Sequence, residues 1–210
     1  MNLLNDLQWR YATKRMNGKH VPHDKVMKVI EAARLAPTSS GLQPFKVVMI
    51  EDIEIRKKIA PIAMNQKQIT ECSHLLVFAA WDSYSKERMD SVFDNMEAIR
   101  ELPKGEMDEF KNSVSNSMQA KSVHEQYHHA ARQAYIGFGM AIAAAAELRI
   151  DASPMEGFHN DELDVFLGLD KLGLKSVTLL ALGYRNEEED WLLPMKKVRF
   201  PLEDFLIEVK

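Results

Sequence analysis

The chain has 210 residues, 46% of them apolar, a formal net charge of −4 at pH 7 and one cysteine. That is enough apolar material for one domain spanning residues 1–210, and it excludes a disulfide scaffold, binding to nucleic acid driven by net charge, and attraction to an anionic membrane surface. The lone Cys72 and the absence of a continuous apolar run between Met1 and Arg15 point to a reducing, cytoplasmic compartment without secretion.

In chain order, a helix is expected from Leu3 to Gln8 or beyond, then a turn at Asn17-Gly18, then an amphipathic helix from Asp24 to Leu35 with Val26, Val29, Ile30 and Ala33 at helical spacing. Pro37 stops that helix and Pro44 pushes Gln43 toward an extended conformation, so residues 36–45 form a bracketed loop before a strand, Lys46 to Ile50. A short helix from Ile53 to Ile59 is broken by Pro61, and another is expected from Asn65 to Thr70. Leu75 to Ala80 is a continuous apolar run, the mark of a strand buried on both faces.

Ser85 to Ser117 is charged and interrupted by Pro103-Lys104-Gly105, and reads as a mobile helical excursion over the core, a candidate lid with Phe93 and Phe110 as aromatic contacts. A long helix follows from about Gln119 to Leu148; its apolar stretch, Ala134 to Ala146, is too short to span a membrane. Asp151 to Ser153 is extended, Asp161 to Leu167 helical and Ser176 to Leu182 a strand. Asn186 to Asp190 reads as an exposed acidic connection, and Phe200 to Val209 as an amphipathic end. Helices outnumber strands without tidy alternation, which favours an α+β fold around a mixed sheet.

Three patterns carry chemistry. The loop at Pro37-Thr38-Ser39-Ser40-Gly41 offers hydroxyls and backbone N–H groups to a polar ligand, or is an ordinary turn. His124-Glu125-Gln126-Tyr127-His128 matches the zinc-hydrolase pattern, but Glu147, the nearest third ligand by sequence, would lie roughly 28 Å along a continuous helix from His128. No glycine-rich dinucleotide or phosphate loop is present, so a phosphate would need side-chain cations. Arg10 and Lys14 share a face if their stretch is helical, and Lys197 and Arg199 share a side if theirs is extended. Two such pairs can clamp one phosphate.

Arg10-Tyr11-Ala12-Thr13-Lys14, the run from Ala36 to Phe45, Asn65 with Gln68 ahead of Ser73-His74-Leu75-Leu76-Val77-Phe78, Pro154-Met155-Glu156-Gly157-Phe158, and Lys197-Val198-Arg199 occur in this order over nearly the whole chain. In these blocks the chain resembles the FMN-dependent nitroreductases, dimeric NAD(P)H flavin reductases. The resemblance implies a central mixed sheet wrapped by helices, with C-terminal segments exchanged in an intertwined homodimer and FMN at the subunit interface. It implies that Arg10, Lys197 and Arg199 hold the FMN phosphate, that Lys14 meets the ribityl chain and the N1/O2 edge of the ring, and that Asn65 and Gln68 reach the pyrimidine edge. Backbone groups of Glu156 and Gly157 address the ring near N5. Pro37, Thr38, Ser39 and Gly41 come from the other subunit, and Tyr11, Ala12, Pro154 and Met155 complete the cofactor-binding set.

The chain departs from the family where Ala12 replaces a frequent serine, Gly41 a frequent asparagine, and Gln68 a lysine found in some relatives. The implied reaction is ping-pong: NAD(P)H reduces FMN, then a small acceptor such as a nitroaromatic or quinone takes the electrons, without a protein nucleophile, a metal, a nucleic acid or a membrane. Reductive dehalogenation, flavin cleavage and a non-catalytic flavin carrier are the alternatives that keep FMN. A zinc hydrolase built on His124, Glu125 and His128 is the alternative that does not.

Overall fold

The computed structural model describes residues 2–210. Its helices in chain order are α1 (Leu3–Trp9), α2 (His23–Arg34), α3 (Ile53–Ile62), α4 (Lys67–Glu71), α5 (Lys86–Ile99), α6 (Asp108–Gln119), α7 (Val123–Glu147), α8 (Asn160–Leu167) and α9 (Leu202–Phe205). The strands are β1 (Phe45–Ile50), β2 (His74–Trp81), β3 (Asp151–Met155) and β4 (Leu174–Gly183). They form one sheet in the order β1-β2-β4-β3.

Every residue of β2 is buried, as its unbroken apolar run requires of a strand covered on both faces. The pleat sends Leu75 and Val77 to one side, where they pack with Ile59, Ile69, Leu163 and Leu179 beneath α3, α4 and α8. Leu76 and Phe78 face the other side, against Val26 and Val29 of α2 and Phe138 and Ala141 of α7. The sheet is thus the middle of three layers. Phe78 lies edge-on to Phe138 and stacked near Phe45, with ring centroids 5.2 and 6.3 Å away.

α7 starts where Ser122 and Glu125 form a reciprocal capping box, so the chain breaks between α6 and α7 instead of running helical from Gln119. Helix α7 crosses α2 and β1 at Gly137. A Cβ there would lie 2.6 Å from Phe45 Cζ and 3.2 Å from the Ala33 carbonyl oxygen. Gly137→Ala gains about 1 kcal/mol of helix propensity, but forcing the crossing apart costs about 1–3 kcal/mol. A net loss of roughly 1 kcal/mol in a urea melt is the expected outcome.

The α+β architecture is the one the sequence pointed to, but all three strand pairings are antiparallel, so the sheet within the chain is not mixed. Pro61 sits inside the last turn of α3 instead of ending it earlier, because only one hydrogen bond near a terminus is forfeited there. Gln43 avoids the right-handed helical region, as the following proline demands, by adopting a left-handed φ of 43° and not an extended one. Its N–H donates to Thr38 Oγ1 at 3.0 Å and its Nε2 to the Arg34 carbonyl at 2.7 Å, which hold it there. The 85–117 stretch is a helical pair, α5 and α6, with a seated inner face: Met89, Phe93, Val114 and Met118 are buried, while Phe110 is 47% exposed.

Candidate functional site

Beyond α1 the chain leaves the helix at Arg10, whose backbone is extended (φ −70°, ψ 147°), and residues 10–15 run as an irregular strap. The helical spacing that would put Arg10 and Lys14 on one face is therefore absent. The strap is pinned at both ends. Met16 forms an antiparallel bridge to Arg185, flanked by Asn17 N–H to the Tyr184 carbonyl and Asn186 N–H to the Arg15 carbonyl. Midway, Asp190 accepts the Tyr11 hydroxyl and the Lys14 N–H, each at 2.9 Å, and the Leu192 N–H at 3.0 Å. Asp190 is only 3% exposed, so the stretch read as an exposed acidic connection supplies the anchor of the strap.

The bridge also carries Arg185 under the strap. Its guanidinium forks onto Asp151 at 2.6–3.1 Å and lies over the rings of Trp9 and Tyr11, 4.5 and 4.7 Å from their centroids. Burial and the bond to Asp190 push the Tyr11 phenol well above its usual pKa.

Between the strap and the C-terminal segment opens a cleft of about 630 Å³, lined among others by Arg10, Tyr11, Ala12, Pro154, Lys197 and Arg199. Residues 196–200 lie in neither a helix nor a strand. Lys197 Nζ donates to the carbonyl oxygens of Leu7 and Arg10, which ties the far end of the chain to the strap. None of Arg10, Lys14, Lys197 or Arg199 is ion-paired with a carboxylate among the described residues. Burial and the neighbouring Arg199 lower the Arg10 pKa, and burial, Arg10 and Arg199 lower that of Lys197. Arg10 Nε is buried without a hydrogen-bond partner. Buried donors almost always find acceptors, so three cations lining one cleft with an idle buried donor are chemically suited to an anionic group.

Of the turn before α4 and the end of β3 only Pro154 lines this cleft; Asn65, Gln68, Met155, Glu156 and Gly157, like Lys14, are not among its lining residues. Gln68 is buried and gives Nε2 to the Thr13 carbonyl at 3.2 Å, and Ser153 Oγ donates to the same oxygen, so both hold the strap. Asn65 is exposed in a left-handed turn with φ 52°. The Gly157 carbonyl accepts Gln66 Nε2 at 2.9 Å, whereas the Gly157 N–H has no partner among the described residues. Met155 is buried, its carbonyl taken by Thr178 Oγ1 at 3.1 Å, and Glu156 accepts the Tyr135 hydroxyl. Burial and that carboxylate raise the Tyr135 pKa.

Pro37, Thr38, Ser39 and Gly41 do not line this cleft. They sit beside β1, the sheet edge opposite β3, with Ser39 N–H donating to Gln133 Oε1 at 2.9 Å and Gly41 against Met96. The zinc-like motif is spent differently again. Glu125 is the capping residue of α7, and the helix continues unbroken to Glu147. His124 and His128 face each other with 3.0 Å between their Nε2 atoms on an exposed surface.

The nitroreductase family model matches residues 7–184. Over 215 residues the chain is 28% identical to the major NAD(P)H-flavin oxidoreductase of Aliivibrio fischeri, an alignment covering 97% of each protein. Over 219 residues it is 25% identical to the oxygen-insensitive NAD(P)H nitroreductase of Salmonella typhimurium, covering all of both. A chain from Exiguobacterium sibiricum, solved in complex with FMN, shares the fold with a TM-score of 0.83 at 17% identity, over 100% of this chain and 98% of that one. The matched region runs from the α1 wall of the cleft through the end of the last strand, and on it the chain belongs to the nitroreductase family.

Proposed function

We propose that the chain is an FMN-dependent NAD(P)H oxidoreductase that passes electrons from a nicotinamide to small acceptors such as nitroaromatics or quinones. The cleft's three unpaired cations carry this reading. Arg10, Lys197 and Arg199 converge without a carboxylate, and Arg10 Nε is idle and buried, which suits a dianionic phosphate ester. The names of the curated relatives and the FMN complex of the Exiguobacterium sibiricum chain support the choice of flavin over another phosphate.

FMN, when bound, supplies hydride acceptance and donation, chemistry no side chain here provides. The protein's work is placement and charge. Arg10, Lys197 and Arg199 hold the phosphate, while Tyr11, Ala12 and Pro154 wall the cleft. Lys14, held through its backbone by Asp190, brings a cation to the ring edge where negative charge grows on reduction. Gln68 fixes the strap through Thr13, and Asn65 at its exposed turn is left to meet the ligand. The Gly157 N–H, free of protein partners on a loop clamped by Gln66, Tyr135–Glu156 and Met155–Thr178, is the donor assigned to N5.

A second copy completes the site in this reading. Val198, Phe200, Ile207 and Val209 are each more than 80% exposed, which suits a tail that packs on a partner. The 37–41 loop, at the opposite sheet edge from the cleft, then reaches the flavin of the other subunit. The test is to load the purified protein with FMN, desalt it and add NADH, then NADPH, without oxygen. Retained flavin that bleaches with either nicotinamide supports the reading, and flavin that stays oxidised with both refutes it. Lys14→Ala is expected to lower the bound flavin's two-electron potential by about 30 mV, the equivalent of roughly 1.4 kcal/mol of charge stabilisation. Equilibration with reference dyes reads it, and an unaltered potential removes Lys14 from the ring edge.

A further inference from the structure

Where β1 ends and β2 begins, three side chains that the flavin reading leaves unused meet. His20 lies on the loop before α2, Glu51 follows β1, and His74 begins β2. We propose that His20, Glu51 and His74 form a binding site for a divalent transition cation of the zinc type, which clips the 17–22 loop to the sheet.

One imidazole nitrogen, one carboxylate oxygen and a second imidazole nitrogen lie within 4.8 Å of one another. A tetrahedral zinc ion with bonds of about 2.0–2.1 Å spaces its ligand atoms roughly 3.4 Å apart. The contraction this asks for is small and falls on mobile groups, because the His20 and Glu51 side chains are 58% and 54% exposed. The fixed member is His74, whose side chain is 1% exposed.

His74 gives the cluster its direction. Its Nδ1 is tied to Ser73 Oγ at 2.8 Å, and that hydroxyl also accepts the Val21 N–H at 2.8 Å. A metal-bound imidazole needs this kind of support at the nitrogen away from the ion, to fix ring and tautomer. Its Nε2 is buried and has no hydrogen-bond partner, although it faces the other two groups. Glu51 Oε2 is 3.7 Å away, too far for a hydrogen bond, while Oε1 is engaged by His20 Nε2 at 2.9 Å. The rings of His20 and His74 meet edge to face with centroids 5.2 Å apart.

Two imidazoles and one carboxylate are a borderline donor set, suited to zinc more than to calcium or magnesium. Three protein ligands leave a fourth position to water. Arg56, which donates to the Glu51 carbonyl, has the rest of its guanidinium occupied by the carbonyls of Ile69 and Thr70.

The test is a calorimetric titration of the chelator-treated full chain with Zn²⁺, repeated on His20→Ala and Glu51→Gln, both at exposed positions that leave the core intact. A His128→Ala variant controls for the His124–His128 pair on α7. One zinc ion per chain, with affinity about tenfold or more weaker in each cluster variant and unchanged in His128→Ala, is the expected result. A Co²⁺ titration of the same protein should give the intense visible bands of tetrahedral coordination, lost in His20→Ala. No zinc uptake, uptake that survives both cluster substitutions, or uptake lost only in His128→Ala overturns the proposal. In those cases Glu51 is a hydrogen-bonded cover over His74 and nothing more.

Discussion

Arg10→Ala is expected to weaken FMN binding by about 1.5–3 kcal/mol, the range for a lost charge-assisted hydrogen bond, which is roughly a 12- to 150-fold rise in Kd. The same change is not expected to destabilise the flavin-free protein. In the free cleft Arg10 is partly desolvated and repelled by Arg199, both of which lower its pKa, and its one side-chain hydrogen bond is a long one of 3.4 Å to the Ala152 carbonyl. A base whose pKa falls on folding disfavours the folded state wherever it is charged, so its removal leaves flavin-free stability level or higher. Parallel thermal melts with and without FMN read both effects. A variant that loses stability and keeps its FMN affinity would make Arg10 a structural residue and remove it from the clamp.

Asp190→Ala is expected to do the opposite to the flavin-free protein, with a loss of about 3 kcal/mol or more. Asp190 is buried and satisfies Tyr11 Oη, Lys14 N–H and Leu192 N–H at once, so its removal strands three donors at about 1–3 kcal/mol each, partly offset by water. FMN affinity should fall with stability, because the strap carrying Arg10 and Lys14 is tied by this carboxylate to the segment that leads to Lys197 and Arg199. Asp190→Asn, which keeps an acceptor, is expected to recover part of both. Urea melts and flavin titrations of the pair check this. If Asp190→Ala melts like the parent, the Met16–Arg185 bridge and the bonds to the Thr13 carbonyl hold the strap without it.

The core was legible because burial on two faces writes itself as an uninterrupted apolar run, as in β2, and burial on one face as helical spacing, as in Val26, Val29 and Ala33 of α2. The cations were legible as residue types but not in their geometry. Arg10 and Lys14 were paired on a helical premise that the strap does not meet, whereas Lys197 and Arg199 lie outside helix and strand and both line the cleft. Asp190 was not legible at all. It follows Glu187, Glu188 and Glu189, and nothing in local pattern separates the one acid that folds inward from three that stay exposed. Gln43 was half legible, since a following proline forbids one conformation without selecting among the rest. His74 stood at the head of an apolar strand, and its meeting with His20 and Glu51 is a long-range product of the fold.

The most direct test of the phosphate clamp is a side-by-side titration of the flavin-free protein with FMN and with riboflavin, which differ only in the phosphate. A cleft built from Arg10, Lys197 and Arg199 should hold FMN at least about 100-fold more tightly, the worth of one to two charge-assisted hydrogen bonds. Equal affinities for the two flavins would contradict it and leave the three cations without a ligand.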